Sequence, residues 1–128
     1  GAGECAGVVS DLQFCLEQIV LPLSTAVHAF NEQEYTSATK MFLELAPLIN
    51  RLGGTVAQRA VFQQMAIESS HRSGDNAMTM LLLHERSILI PGDAQCWRRL
   101  STLYGQTGQE RLAKQAHYTA WQLGIGQR

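Results

Sequence analysis

Apolar residues recur along this chain at intervals of three and four, and no segment alternates at intervals of two. This period places apolar side chains on one face of an α-helix, whereas a half-buried strand needs strict alternation. The clearest stripe begins at Ala38 and continues through Phe42, Leu45 and Ile49. The pattern therefore predicts an all-α protein.

Capping and turn residues set the ends of the predicted helices. Ser10 and Thr55 each begin a capping box with a Gln three residues later, and Asp93 suits an N-cap. Pro22 suits the first turn of a new helix, and Pro47 should kink the helix that contains it. The predicted helices span about 10–19, 22–31, 35–51, 55–73, 76–90, 94–106 and 109–123.

The bulk composition fits one globular domain. The chain has 128 residues, of which 45% are apolar and 16% charged, and no linker divides it. We therefore expect a single domain over residues 1–128 with a flexible end at 1–7. The chain begins Gly-Ala-Gly-Glu without a Met, so we expect a fragment of a longer protein.

Charge and cysteine usage narrow the partners and the compartment. A net charge of −1 gives no basic excess to neutralise a phosphate backbone, so nucleic acid is not a predicted partner. No apolar stretch reaches the roughly 18–20 residues that span a bilayer, so no membrane is predicted. Cys5, Cys15 and Cys96 are odd in number and scattered, which favours the reducing cytoplasm, with Cys15 and Cys96 in the core.

An internal repeat is the most specific feature of the sequence. Trp97-x-x-Leu100-Ser101-x-x-Tyr104 resembles the opening of the tetratricopeptide repeat. A step back of 34 residues places Gly108 on Gly74 and Ala113 on Thr79, although this earlier copy lacks the Trp and Tyr. A third copy, Glu34-Tyr35-x-x-Ala38-x-x-x-Phe42, lies 41 residues before the second.

The resemblance to tetratricopeptide repeats implies a right-handed array of helical hairpins. Small residues would let paired helices approach, and large ones would fill the spaces between pairs. We expect about three hairpins plus an N-terminal helix. Departures from the pattern include His117 at a position that is usually aromatic.

A narrower resemblance rests on two stretches. Leu52-Gly53-Gly54-Thr55-x-Ala57-Gln58-Arg59-x-Val61-Phe62 and Leu83-x-Glu85-Arg86 ahead of Pro91 resemble the C-terminal region of the tetratricopeptide repeat protein 38 family. The element Leu21-Pro22-Leu23 is also similar. The resemblance implies that further repeats normally precede this segment, and it implies almost nothing about mechanism.

The repeat class implies that the first helix of each hairpin lines a concave surface. Mixed charge on that surface predicts a non-catalytic scaffold that binds a peptide or protein segment by polar contacts. Chaperone-binding members hold a C-terminal carboxylate with Lys and Asn, where this chain has Gln64 and Glu68, so no such clamp is predicted. The predicted partner-binding residues are Gln64, Glu68, His71, Arg72, Gln95, Arg98 and Thr102.

Two alternatives to partner binding remain open at the level of sequence. The chain could be a structural end-domain of a larger repeat protein, with no ligand of its own. It could also be the helical accessory domain of an enzyme, for which only Glu68 with His71 is a candidate pair. No second ExxH, HExxH, P-loop or nucleophile elbow occurs, so we predict no enzyme, no cofactor and no metal site.

The last helix carries large apolar residues that no later helix of the sequence would cover. Tyr118 and Trp121 are the largest of them. Either Trp121 folds back onto its own hairpin, or this face meets a second copy and forms a homodimer.

Overall fold

The computed structural model describes residues 13–14, 16–51 and 55–126, and over these ranges it contains helices and no strand. The predicted all-α class is therefore confirmed. Residue contacts divide the chain into two compact units, Gly1–Ser69 and Ser70–Arg128. The α-helices are α1 (Leu21–Asn31), α2 (Tyr35–Arg51), α3 (Val56–Ser73), α4 (Asn76–Leu89), α5 (Ala94–Gln106) and α6 (Glu110–Gly126).

The N-terminal helix boundary differs from the prediction. A π-helical turn over Leu16–Val20 runs directly into α1, and Val20 keeps helical backbone angles, so no new helix begins at Pro22. Proline lacks an amide hydrogen and its ring crowds the carbonyl four residues earlier. The wider π turn accommodates this defect without ending the helix. Ser10, the cap predicted for a separate first helix, lies outside the described residues, as do Cys5 and Cys15.

The first unit is held together by α1 packing against α2. Its core combines small residues near the turn between these helices with larger ones further along. Ala29 and Ala38 are buried, as are Phe42 and Leu45 on the predicted apolar stripe of α2. Alanines near the turn have little side-chain bulk to keep the two backbones apart, and Phe42 is the largest buried side chain of this core. The helix α2 continues through Pro47 to Arg51.

Side-chain caps fix the start of three helices, two of them at the predicted residues Thr55 and Asp93. Thr55 and Gln58 form the predicted reciprocal box ahead of α3, with hydrogen bonds of 2.9 and 3.1 Å. The Asp75 carboxylate accepts from the Met78 amide at 3.0 Å and starts α4. Asp93 starts α5 in the same way. Each cap satisfies amides that the first helical turn leaves without partners.

Three helix-ending turns share one hydrogen-bond pattern. Gln33, Gly74 and Gly108 all have positive φ, at 63°, 80° and 78°. In each turn the next residue donates its amide to a carbonyl five residues back, as Asp75 does to Ser70 and Gln109 does to Tyr104. These bonds satisfy carbonyls at the helix end in the manner of a Schellman motif. The turns recur at the spacings of 41 and 34 residues found in the sequence.

The second unit packs α4 against α5 and α5 against α6. The helices α5 and α6 approach each other closely at Ser101, whose hydroxyl donates to the carbonyl of Ala113 at 2.8 Å. Leu100 and Ala120 are buried in this hairpin. The small side chains of Ser101 and Ala113 therefore lie where α5 and α6 approach each other.

Candidate functional site

A cavity of about 190 Å³ lies in the second unit, beside α5. Its wall combines the last turn of α3, the start of α4 and one face of α5. The cavity is open to solvent, so a bound group can enter it without unfolding of the helices. The lining residues are His71, Thr79, Arg99, Thr102, Leu103 and Gln106.

Two lining residues form a fixed, largely apolar wall. Leu103 and Thr79 are both buried. The Thr79 hydroxyl lies 2.8 Å from the carbonyl of Asp75 and 2.9 Å from the Ser70 hydroxyl. The hydroxyl of Thr79 is therefore held by hydrogen bonds within the protein.

The other lining residues supply polar groups at the mouth. The Thr102 hydroxyl donates to the carbonyl of Arg98 at 3.2 Å, which leaves its oxygen able to accept a further bond. In the described part of the chain, the ring of His71 and the amide of Gln106 make no hydrogen bond, and both residues are exposed. Arg99, which already interacts with another group of the protein, completes the lining.

The lining combines polar and apolar side chains, and none of its six residues is acidic. His71, Thr102 and Gln106 supply polar groups, and Leu103 is apolar. Its chemistry therefore suits recognition of a polar side chain.

The structure brings together only part of the predicted partner-binding set. His71 and Thr102 line the cavity. Arg72, Gln95 and Arg98 are exposed residues of the second unit and do not line it. The prediction that these three contact a partner stays a prediction.

The remaining two predicted residues belong to the first unit. The Gln64 amide donates to the Glu68 carboxylate at 3.3 Å, one helical turn further along α3. This bond is of the kind that joins residues at i and i+4 on one helix face. Both side chains are partly buried. Their role in partner binding also stays a prediction.

Sequence reasoning missed four residues of the cavity. Arg99, Leu103 and Gln106 share one face of α5 with Thr102, because the four positions are related by the three- and four-residue spacings of a helix. Thr79 completes the wall from α4. The face of α5 was thus visible in the sequence, but its position beside His71 depends on tertiary packing.

Two side-chain contacts join α4 to α5, the helix that forms most of the cavity wall. Arg86 Nε donates to the Asp93 carboxylate at 2.5 Å, and both side chains are mostly buried. Burial by itself raises the pKa of Asp93, but the hydrogen bonds from Arg86 and from the Cys96 amide outweigh it and hold the pKa below its usual value. The Tyr104 hydroxyl lies 2.7 Å from His84 Nε2, and burial raises the pKa of this tyrosine.

The aromatic residues of α6 lie at the surface. The rings of Tyr118 and Trp121 stack with centroids 6.2 Å apart and remain 58% and 57% exposed. Trp121 is therefore not folded back into its own hairpin, which was one of the two expectations. The other, contact with a second copy, stays a prediction.

Wider comparisons do not assign this chain to a family. No protein-family model matches it, and no solved structure matches it. Within the described residues, no three His, Cys, Asp or Glu side chains are grouped so as to hold a metal ion. None of the described helices is long and apolar enough to cross a bilayer.

Proposed function

We propose that this chain is a tetratricopeptide-like interaction module that binds a segment of a protein partner at the cavity lined by His71 and Thr102. The observation that carries the proposal is the cavity itself. It is concave and open, and it combines an apolar wall with a few convergent polar groups, which is the usual composition of a binding site.

The repeated turns support the tetratricopeptide-like part of the proposal. Gln33, Gly74 and Gly108 end helices with the same geometry at the spacings of the sequence repeat. Arrays of helical hairpins commonly use their extended surfaces to bind partners. The resemblance to the tetratricopeptide repeat protein 38 family fits this reading, and the free thiol of buried Cys96 fits a cytoplasmic location.

Selection from a random peptide library displayed on phage tests the proposed function. We expect enriched peptides that bind the purified chain, and we expect Thr102→Trp to abolish binding because the indole fills the cavity. Thr36→Trp is the matched control, since Thr36 is exposed on α2 and lies outside the site. Enriched peptides that bind both variants equally well would show that the cavity is not the binding site.

A second candidate function is that of a structural end-domain, and one observation favours it. Leu81 and Ile88, at i and i+7 on α4, are 54% and 81% exposed. Apolar side chains on one helix face suit docking onto another part of a longer protein. Hydrogen exchange on a longer chain with its preceding repeats would test this, because docking should protect the amides around Leu81 and Ile88.

A further inference from the structure

Two exposed helix faces of the second unit complement each other, one on α6 and one on α4. We propose that α6 of one copy packs in antiparallel orientation on α4 of a second copy. A two-fold axis lets both copies exchange this contact, so the product is a closed homodimer. The inference is independent of the cavity, and it names the surface that Tyr118 and Trp121 meet.

The exposed face of α6 forms one stripe along the helix. Its members follow one another at alternating spacings of three and four residues, which is the spacing of a helix that pairs with a second helix. The first part of this α6 stripe is cationic and the rest is aromatic or aliphatic. All five members are exposed, namely Arg111, Lys114, Tyr118, Trp121 and Ile125.

The exposed face of α4 has the same spacing and the opposite charge. Its members, Met78, Leu81, Glu85 and Ile88, follow at steps of three, four and three residues. Met78 is half-buried, and the other three are exposed. Apolar side chains along an exposed helix face indicate a docking surface. The single carboxylate of this α4 stripe indicates that the surface it meets carries a basic group.

One antiparallel register brings every member of the α4 stripe onto a member of the α6 stripe. It is fixed by placing the carboxylate of Glu85 opposite the ammonium group of Lys114. The matching spacings then bring apolar side chains of α4 onto the aromatic rings of α6. The opposed pairs are Met78 with Trp121, Leu81 with Tyr118, Glu85 with Lys114, and Ile88 with Arg111.

Each of the outer pairs is chemically favourable as well. A methionine sulfur against an aromatic ring, as in Met78 with Trp121, is an attractive contact. The methylene stem of Arg111 offers apolar surface to Ile88 while its guanidinium stays in water. The register therefore covers the exposed apolar side chains of α4 without burying an unpaired charge.

A parallel arrangement does not fit the same two stripes. With Glu85 again opposite Lys114, Leu81 would lie beside Glu110, and α4 would end before it reached Trp121. The largest aromatic side chain of the α6 stripe would then stay uncovered. The order of charged and apolar residues along the two helices thus favours the antiparallel orientation.

The charges favour α4 of the second copy over its α6. Within the described residues, neither Glu85 nor Lys114 forms an ion pair in its own chain. The α6 stripe contains Arg111 and Lys114 and no acidic residue. Pairing of α6 with α6 would therefore bring like charges into one interface without a carboxylate, whereas α4 supplies one.

Charge reversal tests the pairing on the whole chain, by analytical ultracentrifugation at micromolar concentration. The native chain should sediment as a dimer. Glu85→Lys and Lys114→Glu should each weaken the dimer by at least about tenfold, because each places like charges opposite one another at both contacts. An equimolar mixture of the two variants should regain the native affinity, because every reversed charge then meets its opposite.

Matched charge reversals elsewhere control for net charge. Lys40→Glu and Glu44→Lys make the same changes at exposed positions of α2, outside both stripes, and should dimerise like the native chain. Circular dichroism checks that each variant is folded. If a reversal unfolds the chain, Glu85→Gln and Lys114→Gln replace it, and each should weaken the dimer about threefold.

Four results would overturn the proposal. The first is a native chain that stays monomeric, and the second is a reversal in either stripe with no more effect than the controls on α2. The third is a mixture of the two variants that does not regain affinity. The fourth is a mass that rises beyond that of a dimer with concentration, which a closed two-fold contact forbids. A dimer lost in Trp121→Gln but unaffected by Glu85→Lys would show that α6 meets a surface other than α4.

Discussion

Gly74 and Gly108 lie 34 residues apart and have nearly the same left-handed backbone conformation, with φ of 80° and 78°. Each follows the last turn of a helix and donates its amide to a carbonyl three residues earlier. Gln33 ends α1 with the same bond and a φ of 63°. These three helix-ending turns therefore share one backbone geometry at the spacings of the sequence pattern.

Alanine at these turns should destabilise the protein through the backbone alone. No atom lies within 4 Å of a Cβ added at Gly74 or Gly108, so steric contact adds nothing. The left-handed conformation costs a residue with a Cβ about 1–2 kcal/mol, and Gly108→Ala should lower the free energy of unfolding by that amount. Urea denaturation followed by circular dichroism measures this value.

Gly105 provides the matched control for that substitution. It lies three residues earlier, inside α5, where an added Cβ is also uncrowded. Because alanine favours the helix, Gly105→Ala should raise the free energy of unfolding by about 0.5–1 kcal/mol. If both substitutions had the same sign, the assigned turn geometry would be wrong.

Asp93 should contribute more to stability than Asp75, although both are N-caps. Asp93 accepts from the Gln95 and Cys96 amides and also from Arg86, whereas Asp75 caps α4 through Met78. We expect Asp93→Ala to cost about 2 kcal/mol and Asp75→Ala about 1 kcal/mol, by thermal or urea unfolding. Equal costs would mean that the Arg86 ion pair contributes nothing measurable.

The contribution of Asp93 should also depend on pH. Its folded pKa lies below the usual value of 3.8, since the hydrogen bonds outweigh the effect of burial. The unfolded chain therefore takes up the proton first as the pH falls, and the stabilisation present above about pH 4 is lost below it. The difference in unfolding free energy between the native sequence and Asp93→Ala should accordingly narrow from pH 5 to pH 2. A difference in unfolding free energy that stays constant over this pH range would contradict an ionised Asp93 paired with Arg86.

Cys96 should resist alkylation until the second unit opens. It is 2% exposed, its thiol donates to the carbonyl of Leu83 at 3.2 Å, and burial, assisted by Asp93, raises its pKa to about 11. At pH 8 only about one thiol in a thousand is then ionised. Mass spectrometry of the Cys96 peptide after iodoacetamide treatment should show labelling in urea and almost none without it. Rapid labelling of the folded chain would refute this packing.

The same thiol gives a stability change at high pH. Folding raises the pKa of Cys96 from 9.0 to about 11, because the folded core favours the neutral thiol. The contribution of this thiol to the free energy of unfolding is therefore complete below about pH 9. It is lost as the pH rises through 11, because the unfolded chain releases the proton first. Cys96→Ala should remove this part of the pH dependence. Unfolding of both proteins in urea at pH 8 and pH 10.5 provides the comparison.

Self-association through α6 is a separate prediction. The exposed stack of Tyr118 and Trp121 offers an aromatic surface of the kind that interfaces favour. Analytical ultracentrifugation at micromolar concentration should detect a dimer that Trp121→Gln converts to monomer. His117→Gln, also exposed on α6, should leave the dimer intact. A monomeric native chain would rule out this role for α6.

Local chemistry explains which parts of the fold were predictable. The starts of α3 and α5 follow from Thr55, Gln58 and Asp93, because a capping side chain acts on amides within three residues. The junction near Pro22 did not follow, because a π turn can absorb the missing amide without ending the helix. The residues next to Pro22 do not show whether a proline begins a new helix or is accommodated by a π turn within a continuing one.

The cavity was only partly predictable for a different reason. His71 and Thr102 came from the position of groove residues in the repeat, and both line the cavity. Arg99 was missed because its contribution depends on which side of α5 faces α4 and the end of α3. That orientation depends on contacts between different helices, such as Tyr104 of α5 with His84 of α4, which are 20 residues apart.

Isothermal titration of a selected peptide into point variants tests partner binding at the cavity most directly. We predict that His71→Ala weakens binding about tenfold, or about 1.4 kcal/mol, and that Arg98→Ala, at an exposed residue of α5 outside the lining, weakens it about twofold. Lys114→Ala, on the exposed surface of α6, should bind like the native chain. Unchanged affinity in both His71→Ala and Arg98→Ala, with unfolding free energies also unchanged, would contradict the account.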